Sequence, residues 1–229
     1  MGVHTVRKEE FCKLLDEMTS PDRVIDLLHA PNWRFWQKPQ KIDEGQLFYI
    51  LREYIETRTK KEDTHIRENT YLVLGKLLLR AMEPEHCQFF IDRLAEENDK
   101  YVLHSMLGCI SRLRIPPEVN ISELAACSRS DQWLVRHSAI QALGASDSEA
   151  SREAVRYWVR HTDEKKFKFE LIYANAVLGY IGVAEDIMLL ENHIHSRIRD
   201  VRDTAAYAVE NIRKRVPALS EEQTPAGGL

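Results

Sequence analysis

The sequence predicts an all-α protein: a right-handed α-solenoid, a superhelix of about five helical hairpins, closed at its N-terminal end by a helical cap. Three observations lead there. Apolar residues return every three or four positions from the N-terminus to about residue 216, and no window alternates as a half-buried strand would. Proline punctuation falls between these windows, at Ser20-Pro21, where a cap is followed by a proline in the first helical turn, at Pro84 and at Pro116-Pro117. The helices also fall into one register when Arg67, Leu103, Arg136, Leu171 and Arg202 are set under one another as anchors.

Taken in order, residues 1–43 hold the cap and an aromatic loop. "KEEFCKLLDEM" and "PDRVIDLLH" are short amphipathic helices whose stripes (Phe11, Leu14, Leu15, Met18; Val24, Ile25, Leu28) suit a lid over the first repeat. The segment "APNWRFWQKPQK" follows, with Trp33, Arg34, Phe35 and Trp36 bracketed by prolines. Trp and Arg are common interface anchors, and loops carry function disproportionately, so Trp33, Arg34 and Trp36 are candidate partner-binding residues. The competing reading is that Trp33, Phe35 and Trp36 form a satellite core beneath the cap helices, because exposed tryptophan pairs are costly.

Residues 44–216 form the repeat array. Each anchored helix is preceded by another amphipathic one: "QLFYILREYIETR", "EHCQFFIDRLAEE", "NISELAACS", "SREAVRYWVRH" and "VAEDIMLLENHIH". Three residues after the anchors come Thr70, Met106, Ala139, Ala174 and Ala205; seven after come Leu74, Ile110, Leu143, Leu178 and Val209. These offsets share one helical face, so every copy presents the same stripe, and neighbouring copies must stack to bury it. Eight after the anchors stand Gly75, Ser111, Gly144 and Gly179, as expected where helices approach closely, and then Glu210, where the pattern departs. Residues 217–229, "PALSEEQTPAGGL" after Val216, are too polar and too rich in Pro and Gly to pack, and a flexible tail is expected.

Composition narrows the function. With 32 basic and 36 acidic residues the formal net charge is -4, which supplies no general attraction to nucleic acid or an anionic membrane. The longest apolar run, "YLVLGKLLL", is far shorter than a bilayer span of roughly 20 residues, and "MGVHTVRKEEF" lacks the apolar core of a signal peptide, so a cytoplasmic, monomeric protein without membrane association is expected. Cys12, Cys87, Cys109 and Cys127 are far apart and read as buried free thiols. His86-Cys87 and His193/His195 offer neighbouring ligand types, but such spacings point to different helix faces, and no metal or other cofactor is expected. No phosphate loop, Ser/His/Asp arrangement or HExxH is present, so no catalytic residue is assigned.

An Asp in the turn, Val-Arg opening the second helix, then Ala and a closing Leu-Gly appear as "DTHIRENTYLVLGKL", "DQWLVRHSAIQALG" and "DVRDTAAYAVENI", with weaker copies "DKYVLHSMLGCISRL" and "FELIYANAVLGYIG". This pattern, over about residues 44 to 215, resembles the HEAT repeat and its variant in phycobilin lyases. The resemblance implies a ladder between repeats formed by the turn Asp and the helix-opening Arg, here Asp63, Arg67, Asp131, Arg136, Asp200 and Arg202. It also implies partner binding along a concave face lined by the second helices. The positions turned from the core there include Asn69, His104, His137, Gln141, Tyr173 and Tyr207, a row suited to adaptable hydrogen bonding with aromatic contact area.

The expected function is therefore a non-catalytic protein-binding scaffold. Two alternatives stand beside it. "WLVR" (Trp133, Leu134, Arg136) resembles a stretch of HEAT-like alkyl-base DNA glycosylases, although Asp99 has only Tyr101 beside it where that family pairs an acid with tryptophans. The phycobilin-lyase resemblance implies a chromophore chaperone, for which His104 and His137 are the available groups.

Overall fold

A computed structural model of the chain describes residues 12, 13, 15, 16 and 44–215, and Trp33, Arg34, Trp36 and the tail from 217 lie outside these. Among the described residues there is no strand. Ten α-helices follow one another from residue 44: α1 (Glu44–Thr57), α2 (Thr64–Arg80), α3 (Pro84–Asp92), α4 (Lys100–Ile110), α5 (Ser122–Cys127), α6 (Trp133–Ala142), α7 (Glu149–Val159), α8 (Lys168–Ile181), α9 (Asp186–Glu191) and α10 (Arg199–Arg215).

Local chemistry sets the ends. Pro84 sits in the first turn of α3, where its missing N–H costs nothing. Asp99 caps α4 by accepting from the N–H groups of Tyr101 (2.8 Å) and Val102 (3.3 Å), and the Ser148 hydroxyl accepts from Ser151 N–H at 3.2 Å at the start of α7. Short 3-10 turns at Arg93–Ala95 and Leu143–Ala145 tighten the exits of α3 and α6. The expected helix over "VAEDIMLLENHIH" is shorter than its apolar pattern, because α9 ends at Glu191 and His193 turns inward.

The even-numbered helices pack side by side in chain order, α2 on α4, α4 on α6, α6 on α8 and α8 on α10. In the other layer α3 packs on α5 and α5 on α7. The core lies between the layers. Thr70, Met106, Ala139, Ala174 and Ala205, and Leu74, Ile110, Leu143, Leu178 and Val209, are all buried, so offsets three and seven form the inner stripe in every copy. Burial of each large member stabilises by about 1.5–3 kcal/mol.

Close approach is uneven. A methyl added at Gly75 would stand 2.7 Å from Cys109 Cβ, and one at Gly179 would stand 3.1 Å from the Ala208 Cα. At Gly144 the nearest atom is Val177 Cγ1 at 3.6 Å, which is ordinary contact, so the tight packing expected there is found instead at its two sister positions. Gly144 lies in the 3-10 turn beyond α6, whereas Gly75 and Gly179 lie within helices.

Near the N-terminus, Leu15 is buried and Asp16 accepts from the Tyr54 hydroxyl and from Arg58 Nη2, tying this segment to α1. Cys87, Cys109 and Cys127 are free thiols, each pushed up to about 11 by burial, which leaves them unreactive near neutral pH.

Candidate functional site

The side chains at the N-terminal ends of α4, α6 and α8 make the most distinctive surface of the molecule. Trp133 opens α6 and is 63% exposed; Phe169, in the first turn of α8, is 54% exposed. Between them lies His137, one turn after Trp133, with its ring centroid 5.7 Å from that of Trp133, 5.9 Å from Phe169 and 5.3 Å from Tyr173. These separations fall within the range of favourable ring contacts. The His137 Nε2 stands 3.1 Å from Glu170 Oε1, a carboxylate that can only accept, which assigns a proton to Nε2.

Glu170 is buried and holds two donors. Arg136 Nε donates to Oε1 at 2.8 Å, while Arg136 Nη1 reaches back to the carbonyls of Ser130 (2.7 Å) and Asp131 (3.3 Å). Burial pushes the Glu170 carboxyl upward, but the bonds from Arg136, from its own backbone N–H and from His137 outweigh it and hold the group below the usual carboxylate range. Arg67 repeats the arrangement. It donates to Glu97 through Nε (2.8 Å) and Nη2 (3.1 Å), and its Nη1 binds the carbonyls of Lys60 (2.6 Å) and Arg58 (3.2 Å). Each guanidinium therefore clamps its own turn to the turn of the next hairpin.

The Asp residues assigned to that ladder sit elsewhere. Asp63 makes no side-chain cap bond at α2 and acts on Arg67 only through its charge. Asp131 supplies its backbone carbonyl to Arg136. Asp200 pairs at 2.9 Å with Lys168 at the surface, and Arg202, on the last described helix, meets Asp203 at 3.3 Å. The acids that take the role, Glu97 and Glu170, stand six and one residues before their anchors, so no common sequence offset marks them.

The row assigned to partner binding divides in two. Asn69 is fully buried, with Nδ2 3.3 Å from His65 Nε2, and so is not on the open face. Its register position, two after the anchor, turns toward the neighbouring helix: Ser105 there donates to Glu68 at 2.5 Å, and Ser138 meets His104 Nδ1 at 2.7 Å. Because Ser138 gives its hydroxyl proton to the Leu134 carbonyl (2.8 Å), neutral His104 carries its proton on Nδ1. Polar contacts thus link α2, α4 and α6 sideways. Tyr173 is half-buried against His137, whereas Gln141 and Tyr207 are open to solvent, the Gln141 amide reaching only the His137 carbonyl at 3.5 Å.

Other groups are committed structurally. Asp99 is occupied as a helix cap, and His193 is buried between the Val159 carbonyl (2.7 Å) and Glu164 (3.2 Å). Among the described residues there is no group of three or more His, Cys, Asp or Glu side chains placed to hold a metal ion, and no helix is long and apolar enough to cross a membrane.

Neither a protein-family model nor a curated protein matches the chain. Among solved structures, an engineered protein determined by the Northeast Structural Genomics Consortium is 15% identical, with 86% of this chain and 98% of that chain covered at a TM-score of 0.43, a likeness from which no assignment follows.

Proposed function

We propose that the protein is a non-catalytic protein-binding scaffold, a right-handed superhelix of HEAT-like hairpins that engages its partner through the exposed side of the even-numbered helices. One observation carries the reading: Trp133 and Phe169 are more than half exposed on adjacent helices and flank the His137–Tyr173 contact. Large aromatics left open to solvent are the usual anchors of a protein interface. The side-by-side packing of α2, α4, α6, α8 and α10 supports the superhelical arrangement, since each hairpin meets only its neighbours in such a stack.

The groups a DNA glycosylase reading would need are otherwise engaged. Arg136 is held by Glu170 and two carbonyls, and the Asp99 carboxylate accepts two backbone N–H groups. A bilin-chaperone reading meets the same difficulty, because His104 and His137 are bonded to Ser138 and Glu170.

Affinity capture from native extract with mass spectrometry tests the proposal. A reproducible protein partner, lost with the Trp133→Ala/Phe169→Ala double variant at an unchanged melting midpoint, is the expected result. Absence of any partner together with turnover of an alkylated DNA duplex would overturn it.

A further inference from the structure

We infer that His193, Glu164 and Ser196 form a proton-operated latch between the α7–α8 turn and the start of α10, closed while the imidazole carries both ring protons and released when it loses one. Hydrogen-bond accounting carries the inference. The His193 ring is buried, with Nε2 2.7 Å from the Val159 carbonyl and Nδ1 3.2 Å from Glu164 Oε1. A carbonyl and a carboxylate only accept, whereas a neutral imidazole offers one N–H and one lone pair. Either neutral tautomer would press that lone pair against an oxygen, and only the imidazolium donates to both. The same extra proton on Glu164 would also close the contact, but imidazole, at about 6.5, is a stronger base than a carboxylate, at about 4.3, so the proton stays on the ring.

The partners of the ring extend the latch in both directions. Val159 is the last residue of α7, so its carbonyl is one of those the helix leaves unpaired, and the helix dipole favours a cation there. Glu164 is fixed by Ser196, whose hydroxyl donates to Oε2 at 2.6 Å and accepts the Ile198 N–H at 3.0 Å. Ile198 leads into α10, its carbonyl receiving the Arg202 N–H at 3.0 Å. A chain of bonds thus runs from the end of α7, through the ring and the carboxylate, to the entrance of α10. When the ring is neutral, its remaining proton is held at the closer Val159 carbonyl and the Nδ1 lone pair faces Glu164. The carboxylate, which is only partly buried, then turns to solvent, and Ser196 loses its acceptor.

The neighbouring charges are otherwise placed. On α7, Arg160 pairs with Glu153, and on α9, Glu191 pairs with Arg213. In the α7–α8 turn Asp163 accepts the Lys166 N–H, while Lys165 and Lys166 are exposed, as are His195 and Arg197 in the α9–α10 turn. From α8, Lys168 pairs with Asp200; from α10, Arg202 pairs with Asp203 and reaches the Ser196 carbonyl at 3.5 Å. His161 is the second titratable ring nearby. Its Nδ1 meets only the carbonyls of Tyr157 (3.0 Å) and Trp158 (3.2 Å), so it keeps that proton in both charge states and its titration leaves these bonds unchanged.

Ring-nitrogen NMR and amide hydrogen exchange on the full chain test the inference at about pH 5.5 and about pH 8.5, on either side of the ordinary histidine value. At the lower pH both His193 nitrogens should carry protons. At the higher pH the protection of the Ile198 amide, corrected for intrinsic exchange, should fall about tenfold. In Glu164→Gln the carboxamide can donate to a neutral Nδ1 while its oxygen accepts from Ser196, so protection should differ by less than about twofold between the two conditions. His161→Gln should keep the parent's dependence. A singly protonated His193 at the lower pH, parent protection that does not change, an equal fall in Glu164→Gln, or loss of the dependence in His161→Gln would each overturn the inference.

Discussion

Glu170 shows how one buried carboxylate can organise a surface. It receives Arg136 and His137 from the preceding hairpin, and its removal would strand a mostly buried guanidinium. Glu170→Gln should destabilise the fold by about 3 kcal/mol, whereas Arg202→Ala, whose pair with Asp203 is solvent-exposed, should change stability by less than about 0.5 kcal/mol. Urea midpoints of the two variants check this contrast. The pH dependence follows from the lowered Glu170 carboxyl. Its contribution is fully present above the unfolded carboxylate value of about 4.3 and is lost as pH falls through the lower folded value. Urea titrations across that acid range should show a smaller decline for Glu170→Gln than for the parent, and parallel curves would contradict the assignment. The acid partner was not legible in the sequence. The anchoring arginines stood out in the sequence, but their acids occupy unrelated offsets, and a turn Asp offered a more regular pattern than the Glu that folding selects.

Among the elements, the inner stripe was readable because burial enforces helical periodicity on every copy, as Met106, Ala139 and Ala174 illustrate. The outer row was less so. Residues at the second position after the anchor, Asn69 and Ser138 among them, look solvent-facing on a single helix, yet both are buried, Ser138 against His104 of the preceding even-numbered helix. The aromatic loop with Trp33, Arg34 and Trp36 lies outside the described residues. The glycines separate in the same way, since sequence marks three equivalent positions and only packing distinguishes them. Gly75→Ala and Gly179→Ala should each destabilise by about 1–3 kcal/mol, because Cys109 Cβ and the Ala208 backbone cannot rotate aside. Gly144→Ala should be tolerated within about 0.5 kcal/mol, the added methyl making only ordinary contact with Val177. Thermal melts of the three variants distinguish these outcomes. Loss of the α4 cap in Asp99→Ala should cost about 1 kcal/mol by the same measurement.

For the whole molecule, the proposed superhelix draws its support from the side-by-side packing of successive even-numbered helices. Small-angle scattering should then give a rod-like cross-section regime and an asymmetric distance distribution, and a spherical profile would contradict it. The sideways polar links, Glu68 to Ser105 and His104 to Ser138, together with the Arg67 and Arg136 clamps, join successive hairpins into one layer. That layer holds Trp133 and Phe169 on either side of His137, and a surface ordered in this way lowers the ordering cost of binding. Hydrogen–deuterium exchange of the protein with its captured partner tests this most directly. Protection gained at the first turns of α6 and α8 is the predicted result, and protection confined to α3, α5 and α7 would contradict it.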